Sequence, residues 1–319
     1  MKAIYYEKYG NISVLKQGEI DDPKKVLDKE VLIKVNFFSL NPLDYKLRNG
    51  MLKLMTFRTF PRTTGSDFSG EIVAKGENVN NFEIGEKVFG FLSQLNEGTS
   101  SQFIKVNQSI LSRAPSNIDI GKAAAVPLAA LTSYQALVQL AKIKKGNKVL
   151  INGASGGTGI FAIQIAKIFG AKVTSITSHR NINWMLDTFL VDEAIDYTKE
   201  NSLNNLRKNE YDIIYDCYGN LSFNKIKDFL KSKGSFITTD PFRLESIAGR
   251  FFSIFSNRKF LSVVVKSNGI DLSIVRDWIE EEKIKVFIDK IFNFIDTGKA
   301  YEYLETQRAK GKIIVQINE

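Results

Sequence analysis

The stretch from Asn147 to Gly170 constrains this chain more than any other. Val149-Leu150-Ile151 is an uninterrupted apolar run that reads as a buried strand, and a glycine-rich turn follows it at once. From Gly159 onward apolar residues recur at helical spacing, so a helix starts on the last glycines. A second strand, Lys172-Val-Thr-Ser-Ile176, follows Gly170 and completes a β-α-β unit. A strand, a tight turn and a helix in that order present backbone N–H groups and a helix N-terminus to a pyrophosphate. The G-x-G-x-x-G spacing is met only in part: Ala154 stands at its first position, ahead of Gly156 and Gly159. The flanking strands and helix supply what the pattern lacks.

The rest of the chain narrows the chemistry mostly by what it lacks. Its 319 residues suggest about two domains. No run of about 18 apolar residues is present, so no segment is expected to span a membrane. Met1-Lys-Ala-Ile-Tyr-Tyr reads as a first strand, not a secretion signal, and a cytoplasmic protein is expected. The net charge of +9 is dispersed among acidic residues along the chain. That fits a solvated surface and a polyanionic ligand better than a dedicated nucleic-acid face. Cys217 and His179 are each the only residue of their kind, which excludes an intrachain disulfide and a four-ligand Cys/His zinc site. A catalytic zinc held by three such ligands is excluded too, and no metal is expected.

Residues 1 to about 117 look β-rich, with strand-like runs at Val31–Phe38, Gly70–Lys75, Phe82–Gly90 and Ser101–Val106. A helix-like stretch from Ile118 to about Lys144 leads into the glycine-turn unit. Beyond it, strands are expected at Asp212–Asp216, Gly234–Thr239 and Leu261–Val265, with a helix over Leu221–Lys233. Alternating strands and helices argue for a parallel, doubly wound sheet. From about Asn268 come a polar helix, a strand near Val286–Phe292, a helix around Ala300–Lys310 and a last strand from Ile313. That tail is expected to return to the first lobe, giving domains of 1–122 with 268–319 and of 123–267.

An enzyme that selects NAD places an acid about 20 residues beyond the glycine turn, on the ribose 2′-hydroxyl. The second strand here ends in Thr177-Ser178-His179-Arg180-Asn181, and no carboxylate occurs between Gly159 and Asp187. Ser178 can donate a hydrogen bond and Arg180 supplies a charged fork, which suits a 2′-phosphate. NADPH is the expected cofactor; the competing account makes Arg180 an ordinary exposed helix residue.

Several separate motifs together resemble the medium-chain dehydrogenase/reductase superfamily, in its zinc-independent branch of quinone oxidoreductases and enone or enoyl reductases. These are Asn41-Pro-Leu-Asp-Tyr-Lys46, Gly65-Ser-Asp-Phe-Ser-Gly70, the run Ala123–Ala136, Ile195-Asp-Tyr197 and Gly311-Lys-Ile-Ile. The resemblance covers nearly the whole chain and implies a GroES-like β-rich catalytic domain with a Rossmann cofactor domain. In zinc-dependent relatives a histidine follows the first glycine of the second motif, and this chain has Ser66 there. By the same resemblance Ser155, Gly156, Gly157, Thr158 and Gly159 cradle the pyrophosphate, while Ser178, Arg180 and Tyr197 surround the 2′-phosphate. Lys46 reaches the nicotinamide ribose, Thr132 the nicotinamide, and Lys312 contacts the cofactor from the returning tail. Tyr45 and Lys46 are the catalytic candidates; Asp44 and Asp67 are expected to be structural.

Without a Lewis acid, alkoxide chemistry loses its main support. Hydride delivery to a conjugated carbonyl or a quinone needs less, because the charge spreads over an enolate or a hydroquinone. Proton return is open between Tyr45 and water. A small-molecule acceptor and a homodimer or monomer are expected; the alternative is a non-catalytic NADPH-binding sensor or interaction module. Residues 242–260, rich in Phe, Arg and Lys, read as a helix over the substrate or at a subunit contact, with an anionic membrane surface as the rival.

Overall fold

A computed structural model of the chain describes residues 1–53, 60–93, 97–240, 243–254 and 256–317. The chain divides into two compact units, Met1–Leu131 with Lys266–Glu319, and Thr132–Val265. The first runs β1 (Lys2–Tyr6), β2 (Lys16–Glu19), β3 (Glu30–Leu40), α1 (Pro42–Arg48), β4 (Arg62–Thr63), β5 (Asp67–Lys75), β6 (Lys87–Phe91), β7 (Phe103–Asn107) and β8 (Leu111–Arg113). Two short helices, α2 (Ile120–Ala124) and α3 (Pro127–Tyr134), lead out of it. The second unit holds β9 (Lys148–Asn152), α4 (Gly157–Ile168), β10 (Lys172–Thr177), α5 (Ile182–Phe189), β11 (Glu193–Asp196) and β12 (Tyr211–Asp216). It continues through α6 (Phe223–Ile226), β13 (Leu230–Thr238), α7 (Leu244–Ser253) and β14 (Lys259–Ser262). The tail adds α8 (Gly269–Glu280), β15 (Ile288–Asn293), α9 (Thr297–Glu305) and β16 (Lys312–Gln316) to the first unit.

In the first unit β3 is the organiser. It pairs antiparallel with β5, β7 and the returning β16. Its alternate residues Val31, Ile33 and Val35 are buried, as a period of two requires when one sheet face meets a core. The tail is therefore structural to this lobe: Ile313 and Val315 of β16 and Ala300, Tyr301 and Leu304 of α9 belong to the same apolar cluster as Phe38 and Phe68.

The second unit is a parallel sheet in the order β11-β10-β9-β12-β13-β14. The order reverses direction between β9 and β12, and in such sheets ligands bind beyond the carboxyl ends of the strands at that switch point. Ile151 and Asn152 of β9 lie opposite Tyr215 and Asp216 of β12 there. Val149, Leu150 and Ile151 have no exposed surface, and neither do Ile160, Phe161 and Ile163 of α4.

Several expected elements differ. The strand expected over Phe82–Gly90 forms only from Lys87, and the helix expected around Ala300–Lys310 runs from Thr297 to Glu305. The helix from Ile118 to Lys144 is interrupted: α2 ends before Val126-Pro127, since the residue before proline is disfavoured in helical geometry, and α3 passes into a π-helical turn over Gln135–Leu140. The helix expected over Leu221–Lys233 is short. Phe223, Ile226 and Leu230 are buried at helical spacing, but Leu230 is already a strand residue facing Tyr211, and Lys233 takes a positive φ of 66°. The strand expected at Leu261–Val265 begins earlier, at Lys259, where Ser235 pairs with it. Among the described residues, no helix is long and apolar enough to cross a membrane.

Candidate functional site

In the second unit the turn after β9 is built on Gly153, Gly156 and Gly159. Gly153 has φ +74°, a left-handed conformation that favours glycine. The tight-turn glycine is thus one residue earlier than the partial motif suggested, and Ala154 is simply buried. At Gly159 a Cβ would lie 2.3 Å from the Gly153 carbonyl oxygen, so only glycine lets α4 sit this close to the turn. Gly156 differs. A Cβ there would meet only the Gly153 carbonyl oxygen, at an ordinary 3.4 Å. Packing within the protein does not demand a glycine at 156, and without a side chain there the backbone stays open to a ligand. Gly156 is also the N-cap of α4 and supplies no side-chain cap. The first-turn amides, including those of Gly157, Thr158 and Gly159, have no intrahelical partner by construction, and the helix end favours negative charge. The cradle fits a dinucleotide pyrophosphate.

Ser155 and Ser178 are joined by a residue that sequence reasoning missed. Asn181 is buried, and its amide donates to Ser155 Oγ (2.9 Å) and Ser178 Oγ (3.3 Å). Thr177 Oγ1 also donates to Ser155 Oγ, at 3.0 Å. With its oxygen accepting twice, Ser155 still has its hydroxyl proton to donate. Arg180 is exposed on the same turn, and Tyr197, 60% exposed, follows the end of β11. Thr132 is buried, and its carbonyl lies 3.5 Å from the Tyr215 hydroxyl.

Asp216, at the switch point, was also missed. It has no exposed surface and accepts from Asn152 Nδ2 (2.7 Å) and the amides of Gly219 (2.9 Å) and Leu221 (2.7 Å). Burial pushes its carboxyl up while these donors pull it down. It ties the loop after β12 to the glycine turn, where a Cβ at Gly153 would come 3.1 Å from the Tyr218 Cβ. Burial pushes the Cys217 thiol well above its ordinary range, so it is no thiolate nucleophile.

The first unit holds a buried polar centre. The Asp67 carboxylate, fully buried, accepts from Ser39 Oγ (2.7 Å), Asn41 Nδ2 (2.9 Å), the Leu128 amide (2.6 Å) and Lys312 Nζ (3.2 Å). Those donors come from β3, the start of α1, the start of α3 and β16. Lys312 is 3% exposed, and its other donors go to the carbonyl of Leu40 and to Asn41 Oδ1. All three ammonium donors are thus used inside the lobe, whereas the resemblance pointed Lys312 at the cofactor. The physical reason is burial: an ammonium this deep must be fully paired.

Asp44 lies beside this centre. Its oxygens accept from the Asn41 amide (2.7 Å) and Ser66 Oγ (2.6 Å), closing the first turn of α1 behind Pro42. Burial nevertheless raises its carboxyl to about 7. Tyr45 and Lys46 stand on this short helix, both partly buried. Burial raises the Tyr45 phenol above its ordinary value, opposed by its hydrogen bond with Gln307. Among the described residues, no group of three or more His, Cys, Asp or Glu could hold a metal ion.

Of residues 242–260, Phe242 and Phe255 lie outside the described residues. α7 leaves Leu244, Ile247 and Phe251 exposed, and Ile254 just after it is exposed as well, while Arg250 donates to Ser262 Oγ and Arg258 to the Leu230 carbonyl.

Comparison with known proteins agrees with this geometry. Residues 27–125 match the alcohol dehydrogenase GroES-like domain model, and residues 191–315 the zinc-binding dehydrogenase model. A chloroplastic quinone-oxidoreductase homolog from Spinacia oleracea is 30% identical over 99% of this chain and 98% of its own length. The 2-methylene-furan-3-one reductase of Solanum lycopersicum is 32% identical over 99% of this chain and 79% of its own. Among solved structures, the quinone oxidoreductase from Coxiella burnetii superposes with a TM-score of 0.91 at 30% identity, covering 100% of this chain and 99% of its own. The chain belongs to the medium-chain dehydrogenase/reductase family of oxidoreductases, in the branch of quinone oxidoreductases and enone reductases.

Proposed function

We propose that this protein is an NADPH-dependent oxidoreductase that reduces a quinone or an α,β-unsaturated carbonyl without a metal ion. The observation that carries the reading is the open cradle at Gly156, followed by the Ser178–Arg180 turn with its hydroxyl and guanidinium. A relative from Arabidopsis thaliana named NADPH-dependent alkenal/one oxidoreductase, 31% identical over 99% of this chain, supports it. When bound, the cofactor supplies a hydride at its nicotinamide ring. Backbone amides at the start of α4 hold the pyrophosphate, and Ser178, Arg180 and Tyr197 receive the 2′-phosphate. The family resemblance would give Thr132 a role toward the nicotinamide and Lys46 one toward the adjoining ribose. Asp67 fixes the start of α1, and with it the helix that carries Tyr45 and Lys46. Burial raises the Tyr45 phenol further above the neutral range, so Tyr45 holds its proton at Oη, and either it or water would return the proton to the substrate. A lone Cys and a lone His leave no ordinary zinc set, and an already electrophilic acceptor dispenses with one.

The test is turnover with NADPH and NADH side by side across enones, enals and quinones, with and without a chelator. NADPH consumption that is faster than NADH consumption and insensitive to the chelator is expected. Equal rates with NADH, or activity that needs added zinc, would refute the reading. Tight NADPH binding without turnover across the panel would favour a sensor or interaction module instead.

A further inference from the structure

The fold places a carboxylate at the cofactor's ribose end that the order of residues hides. Thr177 pairs with Asp196 across the parallel ladder of β10 and β11, and the Tyr197 amide donates to the Thr177 carbonyl at 3.0 Å. Asp196 therefore ends beside the turn that carries Ser178, His179 and Arg180. Its Oδ1 accepts from the Thr198 amide (3.0 Å) and the Thr198 hydroxyl (2.6 Å), and its Oδ2 lies 3.1 Å from His179 Nδ1. The Thr198 hydroxyl first, and His179 after it, hold this carboxyl below its ordinary range. An ionised carboxylate only accepts, so the shared proton sits on Nδ1. A carboxylate at this end of a dinucleotide fold selects a bare ribose 2′-hydroxyl and repels a 2′-phosphate. Here both oxygens are turned to the protein's own donors.

We propose that the His179–Asp196 pair determines cofactor choice: His179 covers the Asp196 carboxylate and so allows this strand end to accept a 2′-phosphate. The inference rests on the NADPH reading above. It gives the chain's single histidine a role, and that role is not one of packing, because its side chain is 79% exposed. The rival account is a purely local turn, in which Thr198 alone matters and His179 is an ornament of the surface.

The two accounts separate in binding, without turnover. Dissociation constants for NADPH and for NADH are measured by nucleotide fluorescence with wild type, His179→Ala, Asp196→Asn and the double variant. His179→Ala is expected to lower the preference for NADPH about tenfold, equivalent to 1.4 kcal/mol, mainly by weakening NADPH. Asp196→Asn in that background restores the preference, because asparagine keeps an acceptor for Thr198 and carries no charge. A preference within about twofold of wild type in His179→Ala, or a double variant no better than His179→Ala, overturns the proposal. Wild type that binds both nucleotides equally overturns the NADPH reading beneath it, and wild type that binds neither overturns the dinucleotide site itself. The wild-type measurement thus tells the failure of the underlying reading apart from the failure of the pair.

Discussion

Lys312→Met removes the cation from the buried centre of the β lobe while keeping a side chain of similar length. The Lys312 ammonium lies 3.2 Å from Asp67 Oδ2, and the two side chains are 4% and 0% exposed. At an effective dielectric constant of about 20, unit charges at that distance attract by about 5 kcal/mol. Desolvation offsets much of this in the intact pair, so the pair itself adds little net stability. Removing one partner is different, because Asp67 is then a buried charge with only neutral donors. The expected loss is about 3–5 kcal/mol. Ser39→Ala removes a neutral donor from the same carboxylate and is expected to cost about 1 kcal/mol. Asp67→Asn combined with Lys312→Met removes both charges, and its loss should fall well short of the sum of the two single losses. Urea unfolding can follow the lobe by itself, since the two tryptophans lie in different units: Trp184 on α5 and Trp278 on α8. A Trp184→Phe background leaves Trp278 as the lobe's reporter. If Lys312→Met costs no more than Ser39→Ala, or if the double variant is simply additive, the reasoning about a charge-paired centre fails.

Three further outcomes follow from the same geometry. Gly159→Ala forces a Cβ to 2.3 Å from the Gly153 carbonyl oxygen, so the cofactor unit should lose about 1–3 kcal/mol, read by Trp184 fluorescence. Gly156→Ala adds a Cβ in ordinary contact and should cost no more than about 1 kcal/mol, the N-cap preference for glycine over alanine, while weakening dinucleotide binding; unchanged binding would argue against the cradle. Asp44 has a folded carboxyl raised from 3.8 to about 7, so the folded lobe prefers it protonated. Its contribution is present in full below pH 3.8 and is lost as pH rises through about 7, a total of about 4 kcal/mol. Asp44→Asn should flatten that part of the stability–pH profile of the lobe, and an unchanged slope would contradict the assignment.

The glycine turn and its flanking strands were legible because each signal lies within a few residues of the next. The buried run at Val149–Ile151, the glycines and the helical spacing after Gly159 impose local conformation directly. Expectations based on local spacing went astray where a neighbouring strand decided the outcome. Phe223, Ile226 and Leu230 repeat like a helix, yet pairing with Tyr211 makes Leu230 a strand residue. Val126-Pro127 broke a helix that the apolar pattern alone made continuous.

By itself the sequence determined a β-α-β dinucleotide turn and the lack of a Cys/His zinc ligand set, because these depend on residue identity and short-range spacing. Tertiary structure alone decided where the charges went. It set Lys312 against Asp67, 245 positions apart, and made a lysine expected at the cofactor the buried counter-ion of the β lobe. It also carried Asp196 to His179 across a parallel ladder, so a strand end without a nearby acid in the chain has one in space. The physical reason is the same in both cases. Hydrogen-bond and charge partners are chosen by which strands pair, and parallel or returning strands join residues that the linear order keeps far apart.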